Sequence, residues 1–270
     1  IARSIAQFPV LTIHNGAIGF SITAFVVAIL WLLKRSWRKS FAILAISILC
    51  LTWLQRWPAG DWQISNCDVG QGDSMVINLH HGKAIVIDVG PDPFAENKCL
   101  KALGVKQIPL LILSHFHADH VGGLSGLMKG RDVQQVWISN NLEPILESTH
   151  SLKLLKGSKV VTVQKGMSAS IAGISFDVLW PDISIHSFES MPGDGSVVNN
   201  SSIAMVISHK DWSLFTAGDL EPPAQHEILG NLRKVDIYKV CHHGSKYQDY
   251  ELMKALSSQI AVISAVSYTH

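Results

Sequence analysis

Residues 114–123 read SHFHADHVGG, with three histidines and an aspartate packed between positions 115 and 120. His115 and His117 lie two apart, so in an extended segment their side chains leave from one side and can bind one divalent ion together. Asp119 and His120 follow at the start of an expected helix and can face a second ion, which makes the segment a two-metal cradle. Gly122 and Gly123 let the backbone turn closely beneath it. Without metal, so many imidazoles and a carboxylate would be poorly accommodated beside an apolar strand, because buried polar groups need partners. The chemistry of such a cradle is hydrolysis, in which metal ions activate water and neutralise charge developing on the attacked ester.

A sheet must hold these groups in place. PLLILS, directly before the histidines, is a continuous apolar run and reads as a buried strand. MVINLHHGKAIVIDVG reads as two strands joined at His80 to Lys83, ENKCLKALGV as a helix, and VGGLSGLMKG as a helix after a tight glycine turn. Further strands are expected at QVWIS, KVVTV, SFDVLW, SIAMVIS, WSLFTAG, VDIYKVC and IAVISA, so strands and helices alternate; SFESMPGDGSVVNNSS is the one long loop. VGQGD, residues 69–73, is a glycine-flanked turn that either brings Gln71 and Asp73 to the metal cleft or simply closes a hairpin. Gly244, Ser245 and Lys246 offer amide, hydroxyl and ammonium groups to a phosphate, or form a solvated turn. His14, His80, His81, His150, His209 and His226 have no partner spacing and read as surface or structural residues.

HFHADH resembles the HxHxDH signature of the metallo-β-lactamase superfamily. The resemblance implies an α/β protein with an αββα sandwich, and it implies further site residues at strand ends. Asp88 in VIDVG would support the metal-binding loop from behind, Asp219 in FTAGD would bridge both ions, and His242 in KVCHHGS would be the last histidine ligand. Spacing does not separate neighbouring histidines; His242 is assigned to the metal and His243 to a substrate phosphate. Where the family places another histidine for the first metal, this chain reads VVNNSSIAMVI, with Asn199 or Asn200 at that point and His186 in the loop before it. The implied cofactor is one or two divalent ions, zinc or manganese.

NCDVGQGDSMVI, NNSSIAMVI, FTAGD and VDIYKVCHHGS taken together resemble the extracellular domain of the ComEC family, competence proteins that take up DNA. The resemblance covers residues 62–270, and the family's closing glycine-histidine-proline segment is not seen before His270, so a domain truncated at its C-terminus is expected. It implies a metal-dependent deoxyribonuclease whose partner is DNA, as a single strand or a duplex being processed, beside the remainder of the channel and uptake machinery. Asp119 and His243 would act on the substrate, with Asp73, Asp88, Asn199, Ser245 and Lys246 around them. Two rivals stand beside this reading. One is a hydrolase of the same fold acting on another ester or a lactone; the other is a non-catalytic DNA-binding or channel module with a structural metal site.

The charge distribution adds a second region. Residues 1–60 carry six basic side chains and no acid, which leaves 16 basic and 21 acidic residues after them. A net charge near −5 repels a polyanion, so affinity for DNA would have to come from the ions and from local cations such as Lys246. AIGFSITAFVVAILWLL, residues 17–33, and SFAILAISILCLTWLQ, residues 40–55, are uncharged, and tryptophans cluster at their ends. They read as a transmembrane hairpin over residues 1–60, with KRSWRK between them on the cytoplasmic side. Residues 61–270 would then lie on the extracytoplasmic face of the cytoplasmic membrane. A disulfide persists in that compartment, and Cys67 in a strand can meet Cys99 in the next helix; two unpaired buried cysteines are the alternative. Length and only four cysteines exclude a small disulfide scaffold.

Overall fold

The computed structural model describes residues 24–27, 29, 37–54, 61–182 and 197–264. Most of the first apolar segment lies outside the described residues, as does His186. The chain divides into two compact units, residues 1–59 and 60–270. In the first, helix α1 (Trp37–Leu54) covers most of the second apolar segment and exposes Phe41, Ile46 and Leu49. Among the described residues no helix is long and apolar enough to cross a membrane. Arg38 and Lys39 occupy the first turn of α1, and the uncharged remainder spans only about 22 Å against a hydrocarbon core of about 30 Å. The expected transmembrane hairpin is therefore not supported by the described structure.

The second unit is built on two six-stranded sheets. The first follows chain order: β1 (Ile64–Asn66), β2 (Met75–Asn78), β3 (Lys83–Ile87), β4 (Gln107–Leu113), β5 (Asp132–Ile138) and β6 (Lys159–Thr162). Its first three strands are antiparallel, and β3 to β6 run parallel. The parallel connections need crossovers, which are supplied by α2 (Pro93–Ala102), the short α3 (Ala118–Val121) and α4 (Leu124–Leu127), and α5 (Ile145–Leu154). The second sheet contains β7 (Ser168–Ile171), β8 (Ile174–Trp180), β9 (Ala204–His209), β10 (Trp212–Thr216), β11 (Ile237–Lys239) and β12 (Ile260–Val262). Its outer face is covered by α6 (Pro222–Glu227) and α7 (Tyr250–Leu256).

The continuous apolar runs follow from burial on both faces. Alternate residues of the first sheet divide between two cores. Ile77, Ile85, Leu110 and Ile112 meet Phe176, Met205, Ile207 and Leu214 of the second sheet between the layers. Val76, Val86, Leu111 and Leu113 turn the other way, onto Leu100, Leu124 and Leu127 of the helices. Phe215 and Tyr238 of the second sheet pack on Leu252 and Leu256. The order of layers is thus helix, sheet, sheet, helix, as the resemblance implied. Three-residue β1, exposed β7 and the polar-fronted α5 were not legible, because each buries too little for a periodic apolar pattern.

Candidate metal centre

One edge of the paired sheets collects the ends of β3, β4, β10 and β11, and with them Asp88, His115, Asp219 and the two histidines of CHHGS. The loops are tied to one another by backbone bonds: Val89 N–H to His120 O, Gly123 N–H to Gly90 O, and His242 N–H to Gly218 O. A Cβ at Gly123 would collide with the Val89 carbonyl, and one at Gly122 would lie 2.6 Å from Pro91 O, so both positions are held to glycine by close approach.

Asp119, His120, Asp219 and His243 converge within a sphere suited to one ion. Asp219 Oδ1 lies 3.1 Å from His120 Nε2 and 3.3 Å from His243 Nε2. His243 Nε2 is also 3.2 Å from Asp119 Oδ2 and 3.3 Å from His120 Nε2. Asp219 Oδ1 is nonetheless fully buried without a hydrogen bond of good geometry. A buried acceptor left without a well-directed donor fits a cation held beside it. His115 Nε2 is a second buried polar atom of the site without a hydrogen bond, while its Nδ1 lies 3.1 Å from Ser114 Oγ and 3.2 Å from Ser202 Oγ. His117 stands edge-on to His115, with ring centroids 4.8 Å apart, at the mouth of the site.

The electrostatics agree with this fit. Burial works against a charged His120, but Asp219 and Asp88 hold it well above its ordinary value. Burial likewise opposes protonation of His243, and its bonds to Asp119, Asp219 and Asp73 push it up to about 12. Carboxylates outnumber the fixed cations here, and a divalent ion is the group that would balance them. His115 goes the other way: burial and the neighbouring His120 charge keep it neutral, the form that ligates a metal.

Asp88 sits behind the centre. Its Oδ2 is 2.9 Å from His120 Nδ1, and it accepts the Ser114 amide and hydroxyl, each at 2.7 Å. Asp73 also comes to the back of the site, 3.3 Å from His243 Nδ1. Asn199 and Asn200 donate to the two oxygens of buried Glu221 at 3.0 and 3.2 Å. Asn199 does line the cleft.

The neighbouring histidines exchange the places expected of them. His243 is buried in the carboxylate cluster, whereas His242 stands at the rim, its Nε2 3.8 Å from Asp219 Oδ2. The cause is local: both residues take left-handed backbone angles after β11, and the resulting turn points the second ring inward. Ser245 and Lys246 do not reach the centre. Ser245 accepts the Tyr247 amide, and exposed Lys246 lies 5.0 Å over the Tyr247 ring. Cys67 and Cys99 are joined in a disulfide.

A cleft of about 380 Å³ opens beside the cluster, lined by His117, Asp119, Glu147, Asn199, Asp219 and His242. Sequence reasoning missed Glu221, Ser202 and Lys239. A lysine inside the apolar run two residues before CHHGS was the available signal for the last, since lysines are rarely buried unless paired.

A family model described as the metallo-beta-lactamase superfamily matches residues 67–264. ComE operon protein 3 of Bacillus subtilis is 28% identical over 89% of this chain and 34% of its own length. Recombination protein 2 of Haemophilus influenzae is 30% identical over 84% of this chain and 27% of its own. The chain thus spans about a third of the length of these curated relatives. Among solved structures, the metallo-beta-lactamase fold protein YhfI from Bacillus subtilis superposes with a TM-score of 0.50 at 11% identity, covering 77% of this chain and 89% of that one, a likeness of fold alone.

Proposed function

This chain belongs to the metallo-beta-lactamase superfamily, and from that premise we propose that its hydrolase domain is a metal-dependent phosphodiesterase that cleaves DNA during uptake across the cytoplasmic membrane. The observation that carries the reading is the convergence of Asp119, His120, Asp219 and His243 beside an open cleft. The resemblance of VGQGD, FTAGD and CHHGS to the ComEC family supports the choice of DNA, and the similarity to ComE operon protein 3 and Recombination protein 2 is in keeping with it.

In this reading Asp119, His120, Asp219 and His243 would hold one divalent ion, and His115 and His117 would contribute to a second. Bound there, zinc or manganese supplies Lewis-acid activation of water and of the phosphoryl oxygen. The chain's own residues set the geometry. Asp88 fixes His120 by its Nδ1, leaving Nε2 toward the centre. The buried floor of Ser114, Ser202 and Asp219 keeps bulk water behind the site out. His242, partly exposed on the cleft wall, is placed to hold a substrate phosphate and return a proton to the leaving oxygen.

The domain is placed on the extracytoplasmic face, with DNA and the rest of the uptake machinery as partners. The Cys67–Cys99 disulfide supports an oxidising compartment; the orientation rests on the sequence pattern around the basic loop KRSWRK alone. A membrane-impermeant label on intact cells should reach residues after 61 and spare that loop; the opposite pattern would reverse the placement.

The test of activity is cleavage of a labelled DNA strand by the full chain. Cleavage should stop with chelator and return with zinc or manganese. Hydrolysis of a lactone or simple ester with no action on DNA would favour the other hydrolase reading.

A further inference from the structure

Lys239 is 3% exposed at the end of β11, an unusual place for an ammonium group. Its Nζ lies 2.6 Å from Asp73 Oδ1, and that same oxygen is 3.3 Å from His243 Nδ1. Nδ1 also has the Ser264 carbonyl at 3.1 Å. The Ser264 carbonyl can only accept, so Nδ1 carries the proton, with the Asp73 carboxylate beside it; this leaves Nε2 as the nitrogen facing Asp119 and Asp219.

Asp73 is tied to the other half of the centre through its backbone. Its amide donates to Asp119 O at 3.3 Å, and its carbonyl accepts the Gly90 amide at 2.7 Å. Gly72, with φ +144, lets the chain pass against the Asp119 carbonyl, where any Cβ would collide. The VGQGD turn therefore touches the loops that bear Asp119 and His243, two of the three that carry the candidate ligands.

We propose that Asp73 and Lys239 are positioning residues that fix the tautomer and orientation of His243 toward a metal ion, with Lys239 holding the Asp73 carboxylate in place. This rests on reading the cluster as a metal centre, and it adds a function for VGQGD and for the lysine before CHHGS. A carboxylate behind a ligating imidazole raises its basicity, and loss of such a partner typically lowers metal affinity about 10- to 100-fold. Lys239 is needed because a carboxylate buried without a cation is costly and would relax away from the ring.

The test is zinc affinity of the full chain by chelator competition, compared for wild type, Asp73→Ala, Asp73→Asn, Lys239→Met and the Asp73→Ala/Lys239→Met pair. Asp73→Ala and Lys239→Met should each bind zinc about 10- to 100-fold more weakly. The pair should fall little further than either single change, since the two act through one ring, and Asp73→Asn should recover part of the loss. Zinc affinity within twofold of wild type in both single variants would overturn the proposal. A readout that needs no substitution is nitrogen NMR of the zinc-loaded wild type. Protonated Nδ1 with Nε2 on the metal is expected for His243, and metal on Nδ1 would overturn it. Neither measurement depends on DNA cleavage, so an inactive protein with the expected affinities would sink the nuclease reading and leave this one standing.

Discussion

Asp88 and His120 form a buried pair, Oδ2 to Nδ1 at 2.9 Å, in which the carboxylate is itself anchored by the Ser114 amide and hydroxyl. Two loops that leave neighbouring strands β3 and β4 are thereby locked at the point where His120 turns toward Asp219. Asp88→Asn tests the lock with little backbone cost, because Asp88 sits at φ +56 and asparagine accepts that conformation well. The amide cannot serve both the Ser114 donors and the ring. Zinc affinity should drop by about 10- to 100-fold while the fold is kept, as chelator competition and circular dichroism would show.

Asp219→Ala should be among the most damaging changes at the centre. Its carboxylate lies against both His120 and His243 and is held well below the usual range: burial opposes ionisation, and the His120 charge and bonds outweigh it. Bound metal should fall and DNA cleavage should decline by at least about 100-fold. Metal analysis and a cleavage assay on the same preparation check this, and undiminished cleavage would remove the proposed mechanism.

His242→Ala and His243→Ala should separate. His243 is buried among the carboxylates and His242 stands on the cleft wall. Replacing His243 should release metal; replacing His242 should keep metal and slow cleavage by roughly 10²-fold or more, the usual scale for a proton-transfer group. Metal retained in His243→Ala and lost in His242→Ala would contradict the geometry.

The Cys67–Cys99 bridge closes a segment with a separation of 32 residues. Chain entropy alone gives such a loop about 4 kcal/mol of stabilisation. Reduction, or the Cys67→Ser/Cys99→Ser pair, should lower the denaturant midpoint accordingly. An unchanged midpoint would show that the bridge adds nothing to stability.

Glu96 supplies a pH dependence away from the metal. Burial pushes its carboxyl up to about 8 from the ordinary 4.5, against the opposing Ser74 bond and Arg131 charge. The folded state then keeps a proton that the unfolded chain releases, so this group's contribution is present below about pH 4.5 and is lost as pH rises toward 8. Glu96→Gln has no such proton to lose. Its stability relative to wild type should rise between pH 5 and about 8 and then level off, in urea titrations at several pH values. A constant difference would place the Glu96 pKa near its unfolded value.

What was legible in the sequence was local. HFHADH declares itself because four candidate ligand residues fall within six positions, and the strands around it read as apolar runs because both their faces are covered. The Cys67–Cys99 pair was open as one of two outcomes, and the bond decided it. The roles of His242 and His243 depended on a left-handed turn that no spacing rule reveals. Lys239 and Asp73 meet only because two sheets bring distant strand ends to one edge, and Asn200 and Glu221 because the β9–β10 pair closes with its open end there. Sequence periodicity reports which face of an element is buried; it carries no information about which residue of another element will be opposite, and a metal centre assembled from four strand ends is made of such meetings.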